Sequence, residues 1–191
     1  MLKKFSDFLK PKSTIDLTFE PYVKVVSDLS LQIMKANDTH LDDLLHLEQQ
    51  IYRGQTPWDR FSFKNELMKH HNSLYLVAYD GSKLVAFIGA RFNETEGHVT
   101  NVAVAPEYQR RKIGTFLLNV MLDYGRVNNC ELMSLEVRVD NTGAQKLYEK
   151  IGFHPNLIRK NYYFTDKVDG LNMVYSFANP KDDFSEKGVL L

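Results

Sequence analysis

The sequence predicts an α/β protein of the α+β type, with a mixed, mostly antiparallel central sheet, a parallel pair of strands at its centre and helices on both faces. Three apolar, β-rich segments follow one another with short turns between them, at residues 74–79, 84–92 and 98–104. This is the pattern of an antiparallel meander. An amphipathic helical pattern and a further strand pattern at 132–139 follow the third segment. A strand–helix–strand unit of this kind pairs its two strands in parallel.

The composition is that of one globular domain with a short extension. The chain has 191 residues, of which 43% are hydrophobic and 25% charged, and its formal net charge is zero. Zero net charge argues against a protein that holds long nucleic acid by bulk electrostatics. The single cysteine, Cys130, excludes a disulfide scaffold and indicates a reducing compartment. We therefore expect a cytoplasmic protein without a direct nucleic-acid partner.

Three segments can be distinguished along the chain. Residues 1–30 read as an N-terminal extension, residues 31–178 as the main domain, and residues 179–191, whose periodicity is weak, as a flexible tail. No apolar run is long enough to cross a membrane. Residues 1–12 lack the apolar core and the cleavage site of a signal peptide.

The first elements are predicted from β-rich composition, helix caps and helical spacing. Residues 14–26 are β-branched and aromatic, as in an irregular hairpin, and residues 31–36 read as a strand. Apolar residues within 41–51 recur at helical spacing after a set of capping residues, which predicts a helix. Trp58-Asp59 begins a second helix. The meander follows, and Asp80-Gly81-Ser82 between its first two strands is a hairpin signal.

The second half of the domain alternates helices and strands. Apolar residues recur at i, i+3, i+4, i+7, i+8 and i+11 from Ile113 to Tyr124, which is the spacing of an amphipathic helix. After the strand at 132–139, Asn141 caps another helix, and Gly152 stands where a left-handed helix stop is expected. The last two strands form a hairpin and are predicted at 161–164 and 171–177.

The stretch from Asn101 to Thr115 is the most informative, because a strand ends there, a basic turn follows and a helix begins. The turn carries Arg110, Arg111, Lys112 and Gly114. Runs of charge are most often solvated corners, but a helix N-terminus offers free N–H groups and a positive dipole that suit a phosphate. The position of the cations therefore favours phosphate binding. The turn is neither G-x-G-x-x-G nor Gly-Lys-Ser/Thr, which argues against a dinucleotide enzyme or a nucleotide triphosphatase.

Two other candidates, Glu136 and Tyr148, are not decided by pattern alone. Glu136 lies mid-strand on the polar side, where it could face water, pair with Arg138 or Arg91, or act as a base. Tyr148 lies on the apolar face of its helix, where an aromatic residue is usually part of the core. The six histidines are scattered and form no H-E-x-x-H or Cys/His cluster, so no metal site is predicted.

Together, these residues resemble the GCN5-related N-acetyltransferase (GNAT) family over about residues 31–177. That family carries Q/R-x-x-G-x-G/A after its fourth strand, and residues 109–114 read Q-R-R-K-I-G in the matching position. Lys112 stands where the family has its first glycine, so its side chain must stay outside the pocket or add charge near the phosphates. Further motifs resemble the RimI branch, which acetylates the N-terminal alanine of ribosomal protein S18. They are Pro57-Trp58, Leu135–Arg138, Asn141, Leu147–Glu149, Gly152-Phe153 and Arg159–Tyr163.

The resemblance implies the GNAT fold, acetyl-CoA as cosubstrate, no metal, and a protein N-terminus, with ribosomal protein S18 as its source, as the acceptor. Glu136 would be the general base and Tyr148 the general acid. Trp58, Tyr162 and Tyr163 would frame the acceptor peptide. The residues that the resemblance assigns to acetyl-CoA binding are Val102, Ala103, Val104, Arg110, Arg111, Lys112, Ile113, Gly114, Thr115 and Asn141.

Two other functions stay open at this stage. The same fold could acetylate a small amine such as a polyamine or an aminoglycoside. An acceptor cleft rich in carboxylates would favour that function. Asp42, Asp43 and Glu48 do not obviously supply one. Alternatively, the domain could bind CoA or a partner without catalysis. Lys112 favours that alternative, whereas the presence of both Glu136 and Tyr148 argues against it.

Overall fold

The computed structural model describes residues 15–52, 58–69, 71–164 and 166–177. Their strands are β1 Tyr22–Val26, β2 Leu29–Lys35, β3 Ser73–Asp80, β4 Lys83–Phe92, β5 Glu96–Val104, β6 Leu132–Arg138, β7 His154–Tyr163 and β8 Val168–Ser176. Their α-helices are α1 Leu41–Ile51, α2 Arg60–Leu67, α3 Ile113–Val127 and α4 Thr142–Ile151.

All eight strands form one sheet in the order β1-β2-β3-β4-β5-β6-β8-β7. Every neighbouring pair is antiparallel except β5 and β6, which are parallel. The predicted fold class is therefore confirmed. No helix in the described part of the chain is long and apolar enough to cross a membrane.

Each face of the sheet carries its own hydrophobic cluster, because successive strand side chains point to opposite faces. On one face, α3 and α4 pack against the strands, with Leu117 and Met133 fully buried. On the other face, α1 and α2 pack around Phe63, whose ring meets that of Phe87 edge-on at 5.6 Å. The two faces are called the α3–α4 face and the α1–α2 face below.

The predicted helix caps are present. Asp59 Oδ1 accepts a hydrogen bond from the Ser62 N–H at 2.8 Å at the start of α2. Asn141 Oδ1 accepts one from the Ala144 N–H at 3.1 Å at the start of α4. Gly152, with φ +112°, ends α4 in the left-handed conformation that glycine adopts without a Cβ penalty. These contacts fix the direction in which each helix leaves the sheet.

The last hairpin differs from the prediction, because β7 begins at His154 and not near 161. It is the edge strand of the sheet, and nine of its ten residues are exposed. An edge strand exposed in this way shows no alternation of apolar and polar residues, and Pro155 near its start also argues against a strand in sequence. The prediction of a strand confined to 161–164 was wrong for this reason.

The described part of the predicted extension packs on the main domain. Leu17 and Val26 belong to the core of the α3–α4 face. Asp16 and Asn128 exchange two hydrogen bonds, of 2.6 and 3.0 Å. The boundary at residue 30 stays a prediction. Residues 1–14 and the predicted tail at 179–191 lie outside the described residues.

The sheet opens between β5 and β6 at its centre. The two strands pair only from Glu96↔Leu132 to Val99↔Leu135. Opposite β4, the register moves from Ala90↔Val99 to Gly89↔Asn101, which leaves Thr100 as an extra residue in β5. A bulge of this kind bends the strand and increases its twist. β5 therefore diverges from β6 directly after the bulge, and a wedge forms between residues 101–104 and the end of β6.

Candidate active site

The N-terminus of α3 lies beside this wedge and presents free backbone donors. Lys112 is the N-cap residue and provides no side-chain hydrogen bond to the helix. The Phe116 N–H donates to the Lys112 carbonyl at 2.9 Å. The amides of residues 113–115 therefore have no partner within the helix, and they lie at its positive end. This is an arrangement that binds phosphate.

The basic turn before α3 adds a concave set of N–H groups. Arg110 and Lys112 both have φ +64°, whereas Arg111 between them does not have a positive φ. Alternation of this kind turns successive N–H groups toward one anion-binding hollow. The left-handed conformation of Lys112 also explains why the family has glycine there. Glycine adopts it freely, while another residue pays about 1–2 kcal/mol.

Replacing Lys112 by glycine should stabilise the protein by roughly 0.5–1 kcal/mol, because the relief of left-handed strain exceeds the extra entropy of glycine in the unfolded chain. Urea unfolding of the two proteins measures this difference. Lys112→Ala is the matched control, since it also removes the charge but keeps the strained conformation. An equal gain from alanine would contradict the explanation by strain.

Two neighbouring elements hold the basic turn in place. Ser27, in the turn between β1 and β2, donates from Oγ to the Arg111 carbonyl at 3.0 Å. The Arg111 guanidinium lies 3.6 Å from Asp28, in an exposed ion pair that contributes little to stability. From the other side, Gln109 Nε2 donates to the Val104 carbonyl at 3.1 Å. The turn is thus tied to both the first hairpin and the end of β5.

The edge of β5 supplies further donors to the wedge. The Ala105 N–H donates to the Val85 carbonyl of β4 at 2.8 Å. Because alternate residues of a strand point their N–H groups to opposite sides, Ala103 also faces β4. Val102 and Val104 therefore direct their N–H groups into the wedge.

A buried amide lies at the same place. Asn101 Nδ2 is buried and has no hydrogen-bond partner among the described residues. Buried polar groups are normally hydrogen-bonded. An unpartnered donor beside the wedge fits a ligand that carries a carbonyl or phosphate oxygen.

Glu136 lies directly after Leu135, the last residue of β6 that pairs with β5, on the α1–α2 face. Its side chain is only 6% exposed. Oε1 accepts hydrogen bonds from Arg159 Nε at 3.0 Å and Asn172 Nδ2 at 3.1 Å. Oε2 lies 3.2 Å from His98 Nε2 and 3.5 Å from the Tyr162 hydroxyl. The carboxylate is thus oriented from both sides at one end of a cavity of about 560 Å³.

Tyr148 lies on α4 and is buried, with its ring 6.1 Å from that of Phe153. Burial, and to a smaller extent the nearby Tyr52, raises the pKa of its phenol, so the hydroxyl stays protonated at neutral pH. Tyr163 lies near both candidates for proton transfer. Its hydroxyl donates to the Glu136 carbonyl at 3.4 Å. Burial raises the pKa of its phenol most, and neighbouring groups that include Tyr148 raise it further.

Trp58, which is predicted to frame the acceptor peptide, packs on the α1–α2 face. Its ring centroid lies 5.5 Å from that of Phe63 and 6.4 Å from that of Tyr75. The Tyr75 hydroxyl in turn bonds the Thr100 hydroxyl in the bulge at 2.8 Å. Residues 53–57, which include the rest of the predicted Trp58 loop, lie outside the described residues. The structure thus brings Trp58, Tyr162 and Tyr163 to the side of the sheet that Glu136 faces.

Comparison with known proteins decides the family. The model of the acetyltransferase (GNAT) family matches residues 41–153. The chain belongs to the acetyltransferase (GNAT) family. It is 36% identical over 138 residues to N-alpha-acetyltransferase RimI of Mycobacterium tuberculosis, covering 70% of this chain and 85% of that protein. It is 32% identical over 148 residues to ribosomal protein bS18-alanine N-acetyltransferase of Escherichia coli, and this alignment covers 78% of this chain and 96% of that protein.

Among solved structures, the crystal structure of the ribosomal-protein-S18-alanine N-acetyltransferase from Escherichia coli superposes with a TM-score of 0.69 at 30% identity. The superposition covers 81% of this chain and 99% of the Escherichia coli chain. The predicted enzyme class, an acetyl-CoA-dependent acyltransferase, and the predicted cosubstrate are confirmed. The roles assigned to single residues of this GNAT chain stay predictions.

The predicted acetyl-CoA residues are brought together in this GNAT site, with two qualifications. Val102, Val104 and residues 110–115 surround the wedge and the start of α3. Ala103 lies between them but turns its backbone groups to β4. The Asn141 side-chain oxygen already caps α4, so only its amide group is free to contact a ligand.

The sequence names Glu48 only as a carboxylate that does not obviously supply a small-amine cleft, and its burial was not predicted. It lies on α1 four residues after the fully buried Leu44, and it is itself only 2% exposed. Desolvation raises its pKa to about 7, although the Trp58 N–H donates to it and opposes the shift. A carboxylate one turn after a buried leucine on an apolar stripe was a signal that could have been recognised.

The wild-type protein should lose stability relative to Glu48→Gln as the pH rises from 4 to 8. The folded protein keeps the Glu48 proton up to about pH 7, whereas the unfolded chain releases it near the ordinary glutamate pKa of 4.5. The free energy of unfolding of the wild type therefore falls across this window. Relative to that of Glu48→Gln, it should fall by roughly 2–3 kcal/mol. Urea unfolding at each pH measures it, and parallel curves would contradict the shifted pKa.

Proposed function

We propose that this enzyme is an N-alpha-acetyltransferase that acetylates a protein N-terminal amine, with the N-terminal alanine of ribosomal protein S18 as its acceptor. The observation that carries the proposal is the buried, oriented carboxylate of Glu136 at the point where β5 leaves β6. The names of the relatives from Mycobacterium tuberculosis and Escherichia coli support the choice of acceptor. The single cysteine, Cys130, is free and buried, which agrees with a cytoplasmic enzyme.

The two substrates approach from opposite faces of the sheet. The free amides of residues 113–115 belong to the α3–α4 face, and they bind the pyrophosphate of acetyl-CoA. The N–H groups of Val102 and Val104 lie along the wedge, where they bind the thioester end and hold the charge that develops on its carbonyl oxygen. The acceptor amine enters from the α1–α2 face, past Tyr162 and Trp58. The wedge is therefore the place where direct transfer occurs.

Glu136 prepares the amine for attack. An N-terminal amine has a pKa of about 7.7–8.0, so at pH 7 it is mostly protonated and has no free lone pair. The Glu136 carboxylate takes this proton as general base. Its partners Arg159 and Asn172 both donate to Oε1. Oε2, which faces His98, is thus the oxygen that has room for the proton.

Tyr148 acts on the leaving CoA sulfur in this proposal. Its phenol is protonated at neutral pH because burial raises its pKa. We expect Tyr148→Phe to lower kcat by a factor on the order of 10², because phenylalanine donates no hydrogen bond. The KM for acetyl-CoA should stay nearly unchanged, because phenylalanine keeps the packing. Steady-state release of free CoA measures both constants.

Tyr175→Phe is the matched control for this change. Its ring packs against Phe153 as that of Tyr148 does, but its hydroxyl bonds Arg126 at 3.0 Å and not a group of the site. It should keep the wild-type kcat. Loss of acetyl-CoA affinity without loss of kcat in Tyr148→Phe would instead mark that residue as a binding residue.

The proposed function is tested with purified enzyme, acetyl-CoA and a panel of acceptors. Peptides that begin with alanine, serine, glycine and methionine are compared with a polyamine and an aminoglycoside, and acetylation of the N-terminal amine is followed by mass spectrometry. We expect the alanine peptide with the S18 N-terminal sequence to have the highest kcat/KM. Preference for the small amines would support the alternative acceptor class. Tight CoA binding without turnover of any acceptor would support a non-catalytic module.

A further inference from the structure

We propose that His98 takes the proton from Glu136 during each turnover and releases it to solvent, and that Ser134 and Glu96 hold its ring in the orientation that this step needs. The proposal rests on the proposed function, because it assigns the route by which the acceptor's proton leaves. Four side chains take part, in the order of their contacts Glu136, His98, Ser134 and Glu96, and the proton itself passes only over the first two.

The four side chains form one continuous chain of contacts. His98 Nε2 lies 3.2 Å from Glu136 Oε2, and His98 Nδ1 lies 2.7 Å from Ser134 Oγ. The Ser134 hydroxyl donates to Glu96 Oε1. All four residues line the same cavity. The chain therefore links the buried Glu136, whose side chain is 6% exposed, to the more exposed Glu96, at 38%, along the lining of one cavity.

The parallel register of β5 and β6 brings these residues together. His98 is the register partner of Ser134, and Glu96 is that of Leu132. Residues two apart on a strand share a face, so Glu96 and His98 on β5 face the same side as Ser134 and Glu136 on β6. The bulge that opens the wedge begins only after Val99, and the pairing that holds the chain is intact up to that point.

His98 is suited to accept the proton because of what else surrounds Glu136. Arg159 and Asn172 donate to the carboxylate but cannot accept a proton, and the Tyr162 phenol is a donor at neutral pH. Imidazole is the side chain that accepts and releases protons near neutral pH. The side chain of His98 is 31% exposed, against 6% for Glu136, so the ring reaches solvent where the carboxylate does not.

Counting hydrogens gives the direction of transfer. With neutral His98 and both carboxylates ionised, His98 Nδ1–H donates to Ser134, and the Ser134 hydroxyl donates to Glu96. The Nε2 lone pair then faces Glu136 Oε2, and this is the one contact of the three without a hydrogen. Glu96 thus fixes the tautomer of His98 through Ser134, as a carboxylate does for a catalytic histidine.

The proton moves from the acceptor ammonium to Glu136, then to His98 and then to water. One N–H bond of the acceptor ammonium breaks, the nitrogen keeps the electron pair for its attack on the thioester, and an O–H bond forms at Glu136. That O–H bond then breaks as the proton moves to His98 Nε2. The Nε2–H bond of the imidazolium then breaks and the proton passes to water, which reaches the 31% exposed His98 side chain, while Nδ1 keeps its hydrogen. Glu136 is then a carboxylate again and His98 is neutral, as at the start.

His98→Gln tests the proposal, because glutamine can still contact Glu136 but cannot carry a proton. We expect kcat on the alanine peptide to fall about 10–100-fold with an unchanged KM for acetyl-CoA. His98→Ala should fall similarly and recover when free imidazole is added, which a loss of packing would not do. His154→Gln, at an exposed histidine on β7, is the matched control and should retain the wild-type kcat.

A double-mutant cycle tests the part played by Glu96. Glu96→Gln should lower kcat in the wild-type background and have no further effect in His98→Gln, because it acts only through the tautomer of His98. Wild-type kcat in His98→Gln would overturn the proposal, and so would a His98→Ala defect that imidazole does not restore. Both results would leave the proposed function standing. A wild-type enzyme that acetylates no N-terminus would instead remove the proposed function, and with it this route.

Discussion

Replacing Glu136 by glutamine should lower the rate of N-terminal acetylation by on the order of 10²–10⁴, the usual contribution of a general base. Glutamine has nearly the same shape, and its carbonyl oxygen can still accept from Arg159 and Asn172, which bond Oε1 in the wild type. It cannot take a proton from the acceptor ammonium. The loss should therefore appear in kcat, whereas the KM for acetyl-CoA stays near the wild-type value, because the residues proposed to bind acetyl-CoA lie on the α3–α4 face.

Two control variants separate this effect from a general loss of charge. Glu136→Asp keeps a carboxylate that is one methylene shorter, and it should retain more activity than the glutamine variant. Glu107→Gln removes an exposed carboxylate that pairs with Lys83, and it should have no effect on kcat. Near-wild-type turnover in Glu136→Gln would remove Glu136 from the mechanism. Glu48 would then be the next buried carboxylate on the α1–α2 face to test.

The helices and central strands of this protein are predictable because neighbours in sequence determine them. The spacing from Ile113 to Tyr124 gives α3, and the caps at Asp59 and Asn141 give the starts of α2 and α4. The first part of the edge strand β7, residues 154–160, was missed because exposure on both faces removes the alternation by which a strand is recognised. Local pattern therefore succeeds where burial of one face selects the residues.

The candidate site is predictable only in part, for a related reason. The basic turn and Glu136 could be found because they lie in motifs of contiguous residues. The contact of His98 with Glu136 depends on the register of β5 against β6, which no spacing along the chain encodes. The position of Lys112 illustrates the same point, since the sequence shows the missing glycine but only the backbone shows the left-handed conformation that the position requires.

Replacing Gly114 by aspartate should raise the Kd for acetyl-CoA by on the order of 10²–10³. The position is the second residue of α3, among the amides that bind the pyrophosphate in the proposed function. In the proposed function a carboxylate there would lie within a few ångströms of the phosphates, and two like charges about 4 Å apart near a protein surface repel by about 4 kcal/mol. Isothermal titration with acetyl-CoA measures the loss directly, without dependence on an acceptor.

The backbone leaves room for a Cβ at position 114, and urea unfolding of Gly114→Asp checks that the aspartate variant keeps the fold. A Cβ at Gly114 would meet Leu147 and Val104 only at 3.7 Å, an ordinary contact distance. Gly114→Ala should therefore fold normally and bind acetyl-CoA far better than the aspartate variant. Val127→Asp adds the same charge at the exposed far end of α3, about 20 Å away and beyond the screening length at physiological salt. If Gly114→Asp bound acetyl-CoA as tightly as Val127→Asp does, the pyrophosphate could not lie on the first turn of α3, and the basic turn would be a solvated corner.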